Sequence, residues 1–192
     1  MSALDKAHRL LAPRIAYLIG TRALDNSPNL IPVSNLTSIS TQPQQIALAV
    51  YKQWETHENL RNTDGFTVSV PHIDQLEGVW KLGAKYSHYP CANNTEKIAT
   101  SGLSVDYDTS PYGPVVTDGL GWAVCRTLAK LDFDGDHGLF IAHIEQVYFN
   151  PTYLHSGGTP RGDARPVMQI TGNTFTTAAD THTIPYYKQS TI

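Results

Sequence analysis

Residues 122–131 (WAVCRTLAKL) and 138–149 (GLFIAHIEQVYF) are long strand-forming runs on either side of the turn Asp134-Gly135-Asp136. Two such runs joined by a polar turn read as an antiparallel hairpin with a loop of several residues. Shorter strands surround it. Residues 14–24 (RIAYLIGTRAL) form one, stopped by the turn cluster Asn26-Ser27-Pro28. Residues 30–40 (LIPVSNLTSIS) alternate apolar with small polar side chains, the pattern of a strand with one face wet or occupied. Residues 46–51 (IALAVY) are more continuously apolar and read as a buried strand. Residues 66–70 (FTVSV) alternate again, and 166–171 (RPVMQI) supply a last strand.

Helices are few and short. Residues 3–11 place Leu4, Ala7, Leu10 and Leu11 at helical spacing, and Pro13 ends the pattern. Residues 56–62 read as a short helix with Thr56 as its N-cap. Residues 73–85 carry Ile73, Leu76, Val79, Trp80 and Leu82 on one face, and 94–100 form a second short helix. The stretch 150–165 is a Pro/Gly/Ser-rich loop. Many strands, few helices and polar turns predict a mainly β chain: a closed antiparallel barrel with short helices plugged at its ends. With 192 residues, 41% apolar and 16% charged, the chain fits one domain over 1–192. Its core runs over about 14–149, between an N-terminal helix and a C-terminal extension.

Composition excludes several classes. A net charge of -3 with no basic stripe argues against nucleic acid as a partner. No apolar run is long enough to span a bilayer, so no membrane partner is expected. Residues 1–14 lack the apolar core and cleavage site of a secretory signal. Cys91 and Cys125 share no CxxC spacing. A reduced, cytoplasmic setting follows as the expectation, and it makes the triplets Asn35-Leu36-Thr37, Asn93-Asn94-Thr95 and Arg161-Gly162-Asp163 chance matches. GxSxG, HExxH and GxxxxGK are absent, and Gly119-Leu120-Gly121 lacks the third glycine of a dinucleotide fingerprint. His137 alone among the histidines sits in a polar cluster, with Asp134 and Asp136. That spacing reads as a turn, and no metal site is expected.

Two segments carry candidate chemistry. Residues 29–40 (NLIPVSNLTSIS) concentrate Ser, Thr and Asn on a half-buried strand. Side chains this small let a flat aromatic ligand approach backbone N–H donors; the same composition also suits a polar edge strand with solvated hydroxyls. Residues 52–59 (KQWETHEN) offer a cation, a hydroxyl and a helix start, which together can hold a phosphate, although Glu55 and Glu58 weigh against an anion and a plain N-cap explains the threonine.

The succession of these pieces resembles the flavin reductase-like family of FMN-binding split β-barrels, which includes flavoredoxins and the reductase components of two-component monooxygenases. The resemblance covers about residues 14–149. It rests on Asn29-x-x-Pro32-x-Ser34-x-Leu36-Thr37-x-x-Ser40, Lys52-x-x-x-Thr56-x-x-Asn59-Leu60, Phe66-x-Val68-x-Val70-Pro71, and Gly135-Asp136-His137 leading into Leu139-Phe140-Ile141. It implies an antiparallel split barrel of Greek-key type. By it Pro32, Ser34, Asn35, Leu36, Thr37, Ser38 and Ser40 line the isoalloxazine or ribityl chain, and Lys52, Thr56 and Asn59 hold the phosphate. His137 becomes the catalytic candidate, helping to position flavin or nicotinamide.

Two departures from the family pattern stand out. Ser40-Thr41-Gln42-Pro43 keeps one proline where the family often has Asp-Pro-Pro. Gly172-Asn173-Thr174-Phe175 replaces a Gly pair followed by tyrosine, which leaves open whether the tail covers the flavin of a partner subunit.

The resemblance implies FMN, with FAD as an alternative, and NADH or NADPH as electron donor. It implies a homodimer, to which the late aromatics Tyr148, Phe149, Tyr153, Phe175, Tyr186 and Tyr187 would contribute. The expected activity is NAD(P)H-dependent flavin reduction, delivered to free flavin, a partner monooxygenase or ferric iron. The alternatives are a flavoredoxin-like electron-transfer protein, a flavin- or haem-binding module without turnover, and an ordinary barrel whose Ser/Thr strand is merely solvated.

Overall fold

The computed structural model describes residues 4–83 and 87–178. Its centre is a seven-stranded antiparallel sheet built from β2 (Tyr17–Arg22), β3 (Pro28–Val33), β4 (Leu36–Thr41), β5 (Gln44–Tyr51), β6 (Gly65–Val70), β9 (Gly121–Asp132) and β10 (His137–Phe149). The strand order is β3-β2-β6-β9-β10-β5-β4. The two edge strands, β3 and β4, are therefore consecutive in the chain, joined only by Ser34 and Asn35. A link that short spans at most about 10 Å, so the sheet must curl until its edges meet. The Ala49 amide donates to the Asn35 carbonyl at 2.8 Å and ties the corner to β5. This is a split barrel.

The long hairpin predicted around Asp134-Gly135-Asp136 is β9 and β10, paired from Gly138 with Asp132 to Phe149 with Gly121 and interrupted by two bulges. A three-stranded sheet, β1 (Arg14–Ile15), β11 (Met168–Thr171) and β12 (Thr174–Thr176), lies beside the barrel, and β7 (Val105–Asp106) pairs β8 (Val115–Val116). No helix among the described residues is long and apolar enough to cross a membrane.

Alternation on β2 shows how the core divides. Ile19 packs inside the barrel with Leu48, Phe66, Cys125 and Phe140. Its neighbour Leu18 points the other way, into a second cluster with Leu30, Val79, Leu82 and Ile98. That outer cluster seats α2 (Leu76–Leu82) and α3 (Asn94–Ser101) against the barrel wall. Asn93 caps α3 by accepting from the Glu96 amide at 2.9 Å, and Gly102 ends it in the left-handed region at φ 72°. Gly20 is needed for contact: a Cβ there would run into the Pro114 carbonyl and Thr67 Oγ1.

Several sequence expectations are corrected. The strand expected over 14–24 is two strands in different sheets, because the Ala16 amide turns to the Val167 carbonyl and leaves β1 to pair with β11. The strand expected over 30–40 breaks at Ser34-Asn35. Residues 46–51 lie in a strand that starts at Gln44 and alternates in burial, with Ala47 and Ala49 only half-buried. Thr56 does not cap α1 (Glu55–Asn62); Trp54 holds that position and Thr56 lies within the helix. Residues 73–82 form a 3-10 turn followed by α2, and the rest of the expected 73–85 helix falls partly outside the described residues. Residues Leu4–Leu11 form a 3-10 helix that buries none of its side chains, leaving Leu10 89% exposed.

Candidate functional site

The corner between β3 and β4 opens on a cleft of about 530 Å³, a size typical of cofactor and small-molecule sites. Pro32, Val33, Ser34 and Asn35 line it from the corner, Ala49 and Tyr51 from β5, and Trp54 from the start of α1. Val79, Trp80 and Gly83 contribute from α2 and its end, and Asp136 and His137 from the start of β10. Gln169, Thr171, Gly172 and Phe175 of the β11–β12 hairpin also line it, as do His8 and Arg9. The Gly172-Asn173-Thr174-Phe175 segment thus faces the cleft of its own chain. Phe175 stands edge-on to Trp80 with centroids 5.9 Å apart.

The corner is fixed from the neighbouring sheet. Arg14 Nη1 donates to Asn35 Oδ1 at 2.6 Å, and Ser34 Oγ reaches Gln169 Oε1 at 3.4 Å. Asn35 therefore has its carbonyl oxygen engaged and its NH₂ left to offer. Arg14 Nε is buried without a hydrogen-bond partner, so positive charge sits close behind the corner.

His137 is oriented by its neighbour. Its Nδ1 lies 2.6 Å from Asp136 Oδ1, and its ring meets Tyr51 edge-on at 5.6 Å. A carboxylate on Nδ1 fixes the proton there and leaves Nε2 as the nitrogen a ligand can meet. The same bond holds the Asp136 carboxyl below the usual carboxylate range.

Of the sequence candidates, the structure brings Pro32, Ser34, Asn35 and His137 together in the cleft. Leu36 turns toward the barrel core. Thr37 and Ser38 are exposed on the edge strand β4, and Ser40 is half-buried there beyond a bulge. Lys52 faces the β9–β10 turn. Its Nζ is 2.5 Å from Asp132 and donates to the Phe133 carbonyl at 2.7 Å, and that bond holds the Asp132 carboxyl low. Asn59 is buried and donates to Thr21 Oγ1 at 3.1 Å. Thr56 is buried too, accepting from Asn29 Nδ2 at 2.9 Å. Among the described residues no group of three His, Cys, Asp or Glu side chains could hold a metal ion.

Sequence reasoning missed Trp80, Gln169, Phe175 and Lys97. Lys97 is 8% exposed and donates to Asn29 Oδ1 at 2.7 Å, with burial pushing its ammonium below the ordinary lysine range. One signal was available. Lys97 shares the inward face of α3 with Ile98 and Ser101, and a lysine on the stripe that a helix buries is out of place. Of the late aromatics, Tyr153 stacks on His72 with centroids 4.7 Å apart and Tyr148 on Trp122 at 5.5 Å. Tyr186 and Tyr187 lie outside the described residues.

The chain is 23% identical to an uncharacterised protein of Pyrococcus abyssi over 175 residues, covering 91% of this chain and 96% of that one. The flavoredoxin of Desulfovibrio vulgaris superposes with a TM-score of 0.73 at 20% identity, covering 91% of each chain. An NADH:FAD oxidoreductase of Streptomyces globisporus superposes at 0.71 with 14% identity, covering 96% of this chain and 92% of that one. These structural likenesses establish the fold. Residues 9–162, which include all seven strands of the barrel, match the family described as flavin reductase like domain, and to that family the chain belongs.

Proposed function

We propose that the protein is an FMN-dependent oxidoreductase of flavin reductase type, taking hydride from NADH or NADPH and delivering electrons to free flavin or another acceptor. The observation that carries this reading is the cleft at the β3–β4 corner. It joins small residues whose backbone a flat ring can approach (Ser34, Ala49, Gly83, Gly172) to aromatic walls (Tyr51, Trp54, Trp80, Phe175). That donor set fits a flavin. Asn35 offers amide hydrogens toward ring carbonyls, and Arg14 places charge behind them. A bound flavin supplies the redox chemistry, accepting hydride at N5 and storing two electrons. The protein's part is to hold the ring, stack a nicotinamide against it at short range and exclude bulk water. His137, held by Asp136 at the start of β10, is placed to orient either ring.

Spectroscopy tests the reading directly. The purified protein, alone or with added FMN, should show the absorbance bands of oxidised flavin and bleach under anaerobic NADH or NADPH. A colourless protein that leaves FMN fluorescence unquenched at micromolar concentration would refute it. Flavin that binds but resists both nicotinamides would favour the flavoredoxin-like reading, with a protein as electron donor; the likeness to a flavoredoxin supports keeping that second reading.

A homodimer belongs to the same proposal. Val147, Tyr148 and Phe149 are 52%, 40% and 36% exposed at the end of β10, where they line an apolar groove of about 370 Å³ with Trp122 and Leu154. An apolar patch of this kind suits burial against a twofold mate.

A further inference from the structure

The β11–β12 hairpin stands outside the barrel, yet Gln169, Thr171, Gly172 and Phe175 make it one wall of the cleft. Its tip, Gly172 to Thr174, is exposed, so the hairpin lies between the cleft and solvent. At its base β11 pairs with β1 at two positions, Arg14 with Gln169 and Ile15 with Met168. Gln169 Nε2 donates to the Gly172 carbonyl at 2.9 Å, and Gln169 Oε1 accepts from Ser34 Oγ at 3.4 Å. Gly172 turns the chain at φ 53°, in the left-handed region that glycine adopts at little cost. Across the cleft the hairpin meets α2 through Phe175, edge-on to Trp80. Phe175 is half-buried there and also packs on the outer cluster that seats α2.

A two-stranded ribbon with an exposed tip and a short attachment is marginally stable by itself. It opens more readily than the barrel, because local opening costs only the contacts that the segment makes. The Phe175–Trp80 contact joins two parts of the protein, so it holds whether the cleft is filled or empty. One such ring pair shifts the ratio of closed to open forms by about two- to tenfold. The hairpin thus has a fixed base at Ser34, a flexible turn at Gly172 and a weak aromatic latch on α2.

We propose that the β11–β12 hairpin is a lid on the cleft and that Phe175, latched on Trp80, sets how fast a planar ring enters and leaves. The assignment rests on the cleft holding the flavin ring. With the latch closed, a bound flavin stays in place through successive turnovers; with it open, one flavin exchanges for another. Release of reduced flavin from this cleft is then limited by lid opening. Electron delivery to an acceptor small enough to pass the hairpin is not.

The test follows FMN binding to the full chain, and its release on dilution, by stopped-flow fluorescence. Phe175→Ala should raise the association and dissociation rates together, each about two- to tenfold, and leave Kd unchanged. Phe175→Tyr, which keeps the ring, should keep the wild-type rates. A rise in dissociation alone, with Kd rising in proportion, would make Phe175 a wall that touches the flavin and overturn the lid. Unchanged rates would overturn it too. Should Phe175→Ala fail to fold, Gly172→Val decides. A Cβ at Gly172 meets nothing within 4 Å, so the change acts only through strain at positive φ and should likewise speed both rates; rates left as they were overturn the proposal. A wild type that binds no FMN would overturn the cofactor reading itself, whereas FMN that binds and exchanges at rates indifferent to these variants would overturn only the lid.

Discussion

Arg14 and Gln169 are Cα partners across the β1–β11 pair, and both reach out of that small sheet to the same two-residue corner of the barrel, Arg14 to Asn35 and Gln169 to Ser34. The three-stranded sheet thus acts as a bracket for the site. Arg14→Met keeps the aliphatic stem and removes the bond to Asn35. It should lower the unfolding free energy by about 1.5–3 kcal/mol, the worth of a hydrogen bond to a charged group, and weaken FMN in parallel. Urea denaturation and a flavin titration on the same variant check this. Lower stability with undiminished FMN affinity would make Arg14 a prop of the sheet and nothing more.

His137→Ala should slow reduction of bound flavin by nicotinamide about tenfold or more, equivalent to roughly 1.4 kcal/mol of barrier for each factor of ten, while flavin remains bound. Asp136→Asn should give a smaller loss, because the imidazole stays but its orientation is no longer fixed. Anaerobic stopped flow reads both rates. An unchanged rate in His137→Ala returns the residue to the β10 turn as a structural group.

Acid should weaken the β9–β10 turn. The Asp132 and Asp136 carboxyls are both lowered, by hydrogen bonds from Lys52 and His137 respectively. As pH falls, the unfolded chain takes up these protons before the folded one does. Their contribution is present above the ordinary carboxylate value of about 4 and is lost as pH drops through the lower folded values. Unfolding free energy should therefore decline below about pH 4. The double variant Asp132→Asn with Asp136→Asn should show a shallower decline. Identical slopes would mean that neither pair persists in solution.

Light scattering should give twice the chain mass of 21.1 kDa over a wide concentration range. Tyr148→Glu, which puts a charge into the exposed aromatic patch of β10, should shift the protein toward the monomer. If the flavin lies near the subunit boundary, as the exposed Thr37 and Ser38 on β4 would allow, dilution should release flavin and subunit together. A wild type that scatters as a monomer would leave the patch without a mate.

How much was legible in the sequence depends on whether a pattern had one physical cause. The β9–β10 hairpin was readable because strand-forming residues run for ten positions or more on each side of a polar turn. The break at Ser34-Asn35 was not, since apolar and polar residues alternate straight through it and only the pairing of β4 with β5 shows the chain changing edges. Ser34 and Asn35 were placed in the cleft by motif. Thr37, Ser38 and Ser40 belong to the same motif, but lie past the corner and leave it. Lys52 reads as a phosphate cation because a lysine beside a helix start suits one, and its contact with Asp132 is too remote in sequence to be read there. Lys97 left one signal, its place beside Ile98 and Ser101 on one face of α3, in a short helix whose other polar residues make a lysine look like surface.

The meeting of β3 and β4 has a mechanical meaning. The first and last ribbons of the sheet are held together by one short peptide link, one amide to β5 and the two side chains from the bracket. A ligand lodged against Ser34 and Asn35 touches both ends of the sheet at once and works as a clasp. Occupancy should then slow amide hydrogen exchange chiefly in β3 and β4, leaving β9 and β10 as they were. On this view cofactor loading and the final closure of the barrel are one event.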